Sequence, residues 1–372
     1  MKYIGADLST WLAEESCGAV YYDNGKEENL LQLLKRYGFN SVRLRLWNDP
    51  KSESGERYGA GDNDLERTIA TAKRVKEAGM SFLLDLHYSD FWTDPGKQFK
   101  PKAWEGLSYG ELVSEMERYT EAVLKELIKA GVTPDLIQVG NELSAGLLWP
   151  DGRVPEYRHI AELVAAGIKG VRKVLPDIPV MLHLDNGGNR ELYRTWFDEY
   201  MKYCTEEFPH GLDYQLIGLS YYPFWHGTLS ELEENMRMVA ERYHKELIVA
   251  EVSMGFTMED YSKYERLPAN TRKGMATGEE LVAKIEYPMT EKGQADFMED
   301  LLTRLESVPG ACGFYYWEPA WIPVPGCGWA TEASLKYIND KGPCGNEWAN
   351  QALFDYSGNA LPALNVIRKH AK

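Results

Sequence analysis

The strongest constraint on the fold is a repeat of form rather than of sequence: eight short apolar runs, each followed by a stretch with the residue spacing of a helix. Tyr3 to Leu8 reads as the first strand and Glu27 to Tyr37 as the helix after it, with Leu30, Leu31, Leu33 and Leu34 as its apolar face and Gly38 as its stop. Ser41 to Trp47 alternates with period two, and Asp64 to Ala78 follows as a helix ended by Gly79. The series continues with Ser81 to Leu86 and a helix over Tyr109 to Ala130, Leu136 to Glu142 and Glu156 to Val174, then Pro179 to Leu184 and Glu191 to Tyr203. It closes with Leu216 to Ser220 and Leu229 to His244, Glu246 to Glu251 and Glu291 to Glu306, and Cys312 to Trp317 before a last helix, Leu361 to His370. Strands joined by helices in this manner lie parallel, and eight of them close into an α/β fold, the (β/α)8 TIM barrel. No linker, low-complexity tract or charge block divides the chain, so residues 1–372 are expected to form one barrel domain.

Two connections are much longer than such units need, about 253–290 after the seventh strand and about 319–360 after the eighth. Both leave strand C-termini, the face on which barrel loops build sites, and are expected to wall a cleft. Composition bounds the ligand. With 41 Lys and Arg against 57 Asp and Glu, the net charge of −16 disfavours nucleic acid and anionic membrane surfaces and is compatible with a neutral ligand. There is no apolar run of about 18 residues to span a bilayer and no charged and then apolar leader at Met1. Two locations stay open: secretion or the cell envelope with the signal peptide removed, or the cytoplasm if Met1 is the native start. The five cysteines are scattered without metal-type spacing, which disfavours a disulfide framework and leaves Cys327 with Cys344 as the only pair to check.

Two of the strands end on a carboxylate. The run Leu136 to Val139 leads into Gly140-Asn141-Glu142, and the run beginning at Glu246 ends on Glu251. A charged residue closing one buried strand is most often a rim residue in a salt bridge, but a pair at the C-terminal mouth of a barrel has the makeup of a glycosidase. One carboxyl protonates the leaving oxygen and the other meets the cationic carbon. Arg45, His87, Asn141, Tyr222 and Trp317 also fall at strand ends. Taken singly, Arg45 reads equally as a paired rim arginine, His87 as a structural histidine, and Tyr222 and Trp317 as core aromatics. Their convergence on one mouth favours a site, and the aromatic rings there suit the C–H faces of sugars. Trp92, Trp225, Trp321, Trp329 and Trp348 lie in or beside the same rim segments, some of them as ordinary packing.

Six segments carry a specific resemblance. They are Gly5 to Ser9, Val42 to Pro50, Asp85 to Trp92, Val139 to Glu142, Tyr221 to Gly227 (Tyr-Tyr-Pro-Phe-Trp-His-Gly) and Tyr316 to Pro323 (Tyr-Trp-Glu-Pro-Ala-Trp-Ile-Pro). Across essentially its whole length the chain resembles the endo-β-1,4-galactanases of glycoside hydrolase family 53, in clan A of the barrel glycosidases. The resemblance implies retaining hydrolysis of β-1,4-galactosidic bonds in galactan, the type I arabinogalactan side chains of pectin. It implies Glu142 as acid/base and Glu251 as nucleophile, the latter kept ionised by donors such as Arg45 and Tyr222. Asn141 would hold the sugar 2-hydroxyl, His87 would support the site and Trp317 would floor it, with Asp90, Trp92, Trp321, Trp329 and Trp348 among the substrate contacts. A retaining pair stands roughly 5 to 5.5 Å apart. Where many clan relatives carry histidine this chain has Ser220, which fits the family and leaves the hydrogen bonding of Glu142 open.

Some bacterial members bind calcium in the loop after strand seven, but Phe256 to Tyr264 lacks the spaced oxygen ligands, with Glu259, Asp260 and Glu265 not aimed at one centre. No cofactor is therefore expected and calcium is disfavoured, the loop being packed through Phe256, Tyr261, Tyr264 and Leu267. The expected partner is a galactan oligo- or polysaccharide acted on by a monomer. Other clan A endo-glycosidases, a β-mannanase or β-glucanase, and a non-catalytic carbohydrate-binding barrel are the alternatives; the presence of both glutamates disfavours the last.

Overall fold

The computed structural model describes residues 1–259, 261, 276–342, 344–346 and 348–371. Eight parallel strands, β1 (Tyr3–Asp7), β2 (Ser41–Leu46), β3 (Ser81–Leu86), β4 (Leu136–Val139), β5 (Val180–Leu184), β6 (Leu216–Tyr221), β7 (Glu246–Val252) and β8 (Ala311–Tyr316), pair in chain order. The β8–β1 pairing closes them into a barrel. Outside lie α1 (Leu30–Arg36), α2 (Leu65–Glu77), α3 (Tyr109–Lys129), α4 (Tyr157–Val174), α5 (Arg190–Glu206), α6 (Leu229–Tyr243), α7 (Glu291–Ser307) and α8 (Ala363–His370). The fold is the expected (β/α)8 TIM barrel. Its helices start where side chains can serve the free amides of the first turn. Asp64 accepts from the Arg67 amide to open α2, and Thr228 and Glu231 cap α6 reciprocally. No helix among the described residues is long and apolar enough to cross a membrane.

One boundary differs for a local reason. The expected helix over Glu27 to Tyr37 begins only at Leu30, capped by Asn29, because Lys26–Glu28 pairs instead with Tyr21–Asp23 as a hairpin. Its two-residue turn is Asn24-Gly25, both at positive φ, the residue pair that a tight hairpin of this hand favours. A further short helix, Trp11–Ser16, precedes this hairpin. Cys17, Cys204, Cys312 and Cys327 are free thiols, so Cys327 and Cys344 are not joined by a disulfide.

The strand alternation sorts the barrel interior into a dry floor and a polar upper layer. Tyr3, Leu83, Leu136, Met181, Leu216, Ile248 and Tyr315 pack together as the floor. Gly5 on β1 makes room for Tyr315, since a Cβ there would stand 2.1 Å from the ring. One step toward the C-terminal ends, the inward positions change character to Asp7, Arg43, Asp85, Gln138, His183 and Ser220, all buried. Two expected cleft walls follow β7 and β8, and they pack on each other. Phe256, Tyr261, Ala349, Tyr356 and Leu361 form one apolar cluster, and the Asn350 amide donates to the Thr257 carbonyl at 3.1 Å. Asp260, Tyr264, Glu265 and Leu267 lie outside the described residues.

Candidate active site

Glu142 reaches the mouth because the chain turns sharply after β4. Gly140 has φ 78°, where a Cβ would meet Leu143 at 2.6 Å, and Glu142 itself is left-handed at φ 49°. A non-glycine residue in that region is strained by about 1–2 kcal/mol, a cost that surrounding contacts must offset. Gln98 helps, donating to the carbonyls of Asn141 and Glu142 at 2.8 and 3.2 Å.

Glu251 is aimed by a different device. Strict alternation on β7 puts Ile248 and Ala250 inward and would turn Glu251 out toward the helices. The β6–β7 register shifts instead between Leu219, opposite Val249, and Ser220, opposite Glu251. This irregularity, of the bulge type, turns Ala250 and Glu251 both inward. The carboxylates of Glu142 and Glu251 then approach within 4.8 Å, measured between oxygens, and both residues are buried.

Two negative charges at that range repel by about 3 kcal/mol at an effective dielectric near 20, so the pair favours one proton shared between two different environments. Glu251 accepts from Arg43 Nη1 on Oε1 at 2.9 Å and from the Tyr222 hydroxyl on Oε2 at 2.8 Å. Among the described residues the Glu142 carboxylate accepts only from Ser220 Oγ, at 2.6 Å on Oε1. Burial pushes both carboxyls up. For Glu142 the repulsion of Glu251 and Asp185 adds to burial and carries it well above the ordinary glutamate range. For Glu251 the Arg43 guanidinium and the Tyr222 hydroxyl pull the other way. The arrangement therefore favours the proton on Glu142 over Glu251.

Arg43, not Arg45, is the cation of this pair. Its guanidinium also meets Asp7 at 2.9 Å and Asp85 at 2.8 Å, and donates to Asn141 Oδ1 at 2.8 Å. Arg45 lines the cleft one layer higher, but its guanidinium is committed to Glu318 at 2.5 Å and to Thr10 and the Ala60 carbonyl at 2.8 Å. It stacks over Trp92 with Cζ 4.1 Å from the ring centre. Asn141 donates to the Thr93 carbonyl at 2.9 Å, which with Arg43 fixes its amide at the mouth. His87 donates from Nε2 to Asp85 at 3.0 Å, because Nδ1 receives the Trp47 indole at 3.3 Å.

The cleft holds about 540 Å³ and is lined by Arg45, His87, Trp92, Asn141, Tyr222, Trp317, Trp329 and Trp348 along with the two glutamates. Trp348 stands edge-on to Trp317 at 5.2 Å, and Trp225, at 48% exposure, carries the aromatic surface outward. Two expected contacts fall elsewhere. Asp90 is buried beneath the rim, accepting from the Asp49 and Lys102 amides and paired with Lys102 at 2.9 Å, so it holds loops together. Trp321 is fully buried behind Trp317, its indole donating to Asn346 at 2.7 Å.

Residues not expected from the sequence also line the mouth: Arg43, Asp94, Lys97, Asp185, Asn186, His226 and Asp340. Asp185 accepts from Ser144 and Asn186. Inward alternation from the polar layer would have found Arg43 and His183; the loop residues carry no such signal. Glu142, His183 and Glu251 are close enough to ligate a metal, but the glutamate oxygens serve Ser220, Arg43 and Tyr222, and the imidazole serves Ser220. The donor set fits a hydrogen-bonded carboxylate pair better than an ion.

The chain is similar to known proteins along nearly its whole length. The model of the family described as Glycosyl hydrolase family 53 matches residues 3–367. A Niallia circulans protein described as an uncharacterized protein in the bgaB 5' region is 40% identical, over 98% of this chain and 93% of its own length. A Bacillus subtilis (strain 168) protein named endo-beta-1,4-galactanase is 36% identical, over 98% of this chain and 85% of its own. The solved Ignisphaera aggregans GH53 catalytic domain superposes with a TM-score of 0.88 at 37% identity, covering 99% of this chain and 95% of that one. With a family match spanning nearly the whole barrel and both carboxylates at its mouth, the chain belongs to glycosyl hydrolase family 53.

Proposed function

We propose that the protein hydrolyses internal β-1,4-galactosidic bonds of galactan with retention of anomeric configuration. The observation that carries the reading is the approach of Glu142 and Glu251 to within 4.8 Å in an aromatic cleft, on a chain 36% identical to a named endo-beta-1,4-galactanase. That distance leaves no room for a water between carboxylate and sugar, as inversion would need at roughly 6.5–9.5 Å, and suits direct attack. In the first step a Glu251 oxygen bonds to the anomeric carbon while Glu142 gives its proton to the departing glycosidic oxygen. In the second, Glu142, now ionised, takes a proton from water, which attacks the same carbon and frees Glu251. Arg43 and Tyr222 hold Glu251 as the ionised nucleophile between turnovers.

Neither step calls for a cofactor, and the reading includes a monomer that works without calcium. The aromatic and polar lining supports a neutral polysaccharide as partner. Incubation with debranched galactan, mannan and barley glucan, followed by chromatography of the products, tests it. Oligosaccharides from galactan alone are the expected result. Products from mannan or glucan at comparable rates would move the assignment to another activity of the same clan.

A further inference from the structure

Behind Glu142 runs a chain of hydrogen bonds that the two-carboxylate scheme does not use. Ser220 Oγ is 2.6 Å from Glu142 Oε1 and 2.9 Å from His183 Nε2. His183 Nδ1 is 3.1 Å from Gln138 Nε2 and 3.0 Å from Asn141 Oδ1. Gln138 Oε1 in turn accepts from Arg43 Nε at 3.1 Å. His183, Ser220 and Gln138 are all fully buried, so water does not choose the direction of these bonds.

We propose that Gln138, His183 and Ser220 form a one-way donor chain, started by Arg43 and ending on Oε1 of Glu142, that keeps the transferable proton of Glu142 on Oε2. These are positioning residues, and the inference rests on Glu142 being the acid/base. Arginine has only N–H groups, so the Gln138 carbonyl must face Arg43 and its amide nitrogen must face His183. That nitrogen only donates; its two hydrogens face three acceptors, the Gly140 carbonyl at 3.0 Å, Asn141 Oδ1 at 3.1 Å and His183 Nδ1 at 3.1 Å, and in the proposed order one of them goes to Nδ1, so that in a neutral ring Nε2 carries the hydrogen. Ser220 then receives on Oγ and has its own hydrogen left for Glu142.

The opposite order would put the imidazole hydrogen on Nδ1, toward Asn141. Ser220 would donate to Nε2 and accept from a proton on Glu142 Oε1. That order serves Glu142 only while it is protonated; once the proton has gone to the leaving group, two oxygen lone pairs would face each other at 2.6 Å. The proposed order serves both charge states of Glu142 without moving a heavy atom, and it leaves the Nδ1 lone pair facing Asn141 Oδ1 at 3.0 Å, a contact that only the opposite order would satisfy. It also leaves Oε2, which has no hydrogen-bond partner among the described residues, as the acid oxygen for the cleft. Burial and the neighbouring Arg43 charge hold the His183 pKa well below its ordinary value, which keeps the ring neutral throughout. The other charged groups facing Glu142 are Glu251, Asp185 and Asp94, and each of them only repels its carboxylate.

The test reads direction. In the free enzyme the alkaline limb of kcat/KM on galactan reports loss of the Glu142 proton, and the acidic limb reports Glu251. Ser220→Ala removes a donor that favours the carboxylate, so the alkaline limb should move up by about one pH unit, with the acidic limb within about 0.3 unit of its original place. His183→Phe, which keeps the serine but not its direction, should give a smaller upward shift, and Ser220→Thr should restore the original limb. A downward shift means that the chain runs the other way. Lower activity with neither limb displaced means that Ser220 is only packing; both results overturn the proposal. If Ser220→Ala does not fold, Ser220→Cys, a weaker donor of similar shape, takes its place with the same expected sign.

Carbon-13 titration of labelled glutamate separates the failures. The resonance missing in Glu142→Gln identifies Glu142. A pKa there that does not match the alkaline limb removes Glu142 as acid/base; a match that Ser220→Ala leaves unmoved removes only the relay.

Discussion

Replacing each glutamate tests the division of labour at the residue scale. Glu251→Gln should lose at least about 10⁴-fold in kcat on every substrate, because no other group can form the glycosyl ester. Glu142→Gln should keep the first step on aryl glycosides with good leaving groups, with azide rescuing the second; equal losses for both variants without rescue would mean that these roles are misassigned. The same substitution has a stability signature. Burial and repulsion raise the Glu142 pKa, so the folded state keeps a proton that the unfolded chain releases. Its contribution is full below about pH 4.3 and is lost as pH rises through the folded-state pKa. Glutamine has no such loss, so the Tm of Glu142→Gln should exceed that of the parent by a margin that widens from about pH 5 to 8; a narrowing margin contradicts the raised pKa. Residue type was legible where depth was not. Arg43 and Arg45 share the inward face of β2, and alternation cannot say which meets Glu251. The decision lies with Glu318, at φ 47° just past β8, which captures Arg45 and leaves the deeper Arg43 for the nucleophile. Trp321 and Asp90 misled for a related reason, since a rim segment contributes to the wall behind a site as well as to the site.

At the scale of elements, seven of the eight strands were readable to within one residue because each is a short apolar run between polar turns; β4 stops at Val139, three residues before the expected end at Glu142, because the chain turns left-handed at Gly140 and Glu142. The irregularity before Glu251 was not readable. It exists only in the pairing of β6 with β7, and no local pattern marks it. The Asn24-Gly25 hairpin was readable and was lost to an overlong helix. The loops after β7 and β8 hold each other through aromatic packing and hydrogen bonds, among them the Tyr356 hydroxyl to the Glu259 carbonyl at 2.6 Å and the Phe256 amide to the Asn350 carbonyl at 2.8 Å. These contacts join protein groups directly, in line with the proposed enzyme that works without calcium. Adding calcium to chelator-treated protein should therefore leave Tm within about one degree; a rise of several degrees would show a cation bound to the folded state, since a ligand of the native form alone must stabilise it.

For the whole molecule, the net charge of −16 and a cleft walled by tryptophan and tyrosine suit a neutral chain; among the described residues the long connection after β8 lines the cleft, through Trp329, Asp340 and Trp348, and the one after β7 does not. The separation of Glu142 and Glu251 belongs to no single element. β4 and β7 sit three strands apart around a closed eight-stranded ring, so the barrel's closure brings the two carboxylates together, and the turn after β4 and the irregularity in β7 set the last few ångströms. Direct attack by Glu251 is the central claim, and it leaves a stereochemical trace. Proton NMR of a galacto-oligosaccharide digest, recorded before mutarotation, should show the β anomer as the first-formed reducing end. The α anomer appearing first would mean that water, not Glu251, attacks the sugar.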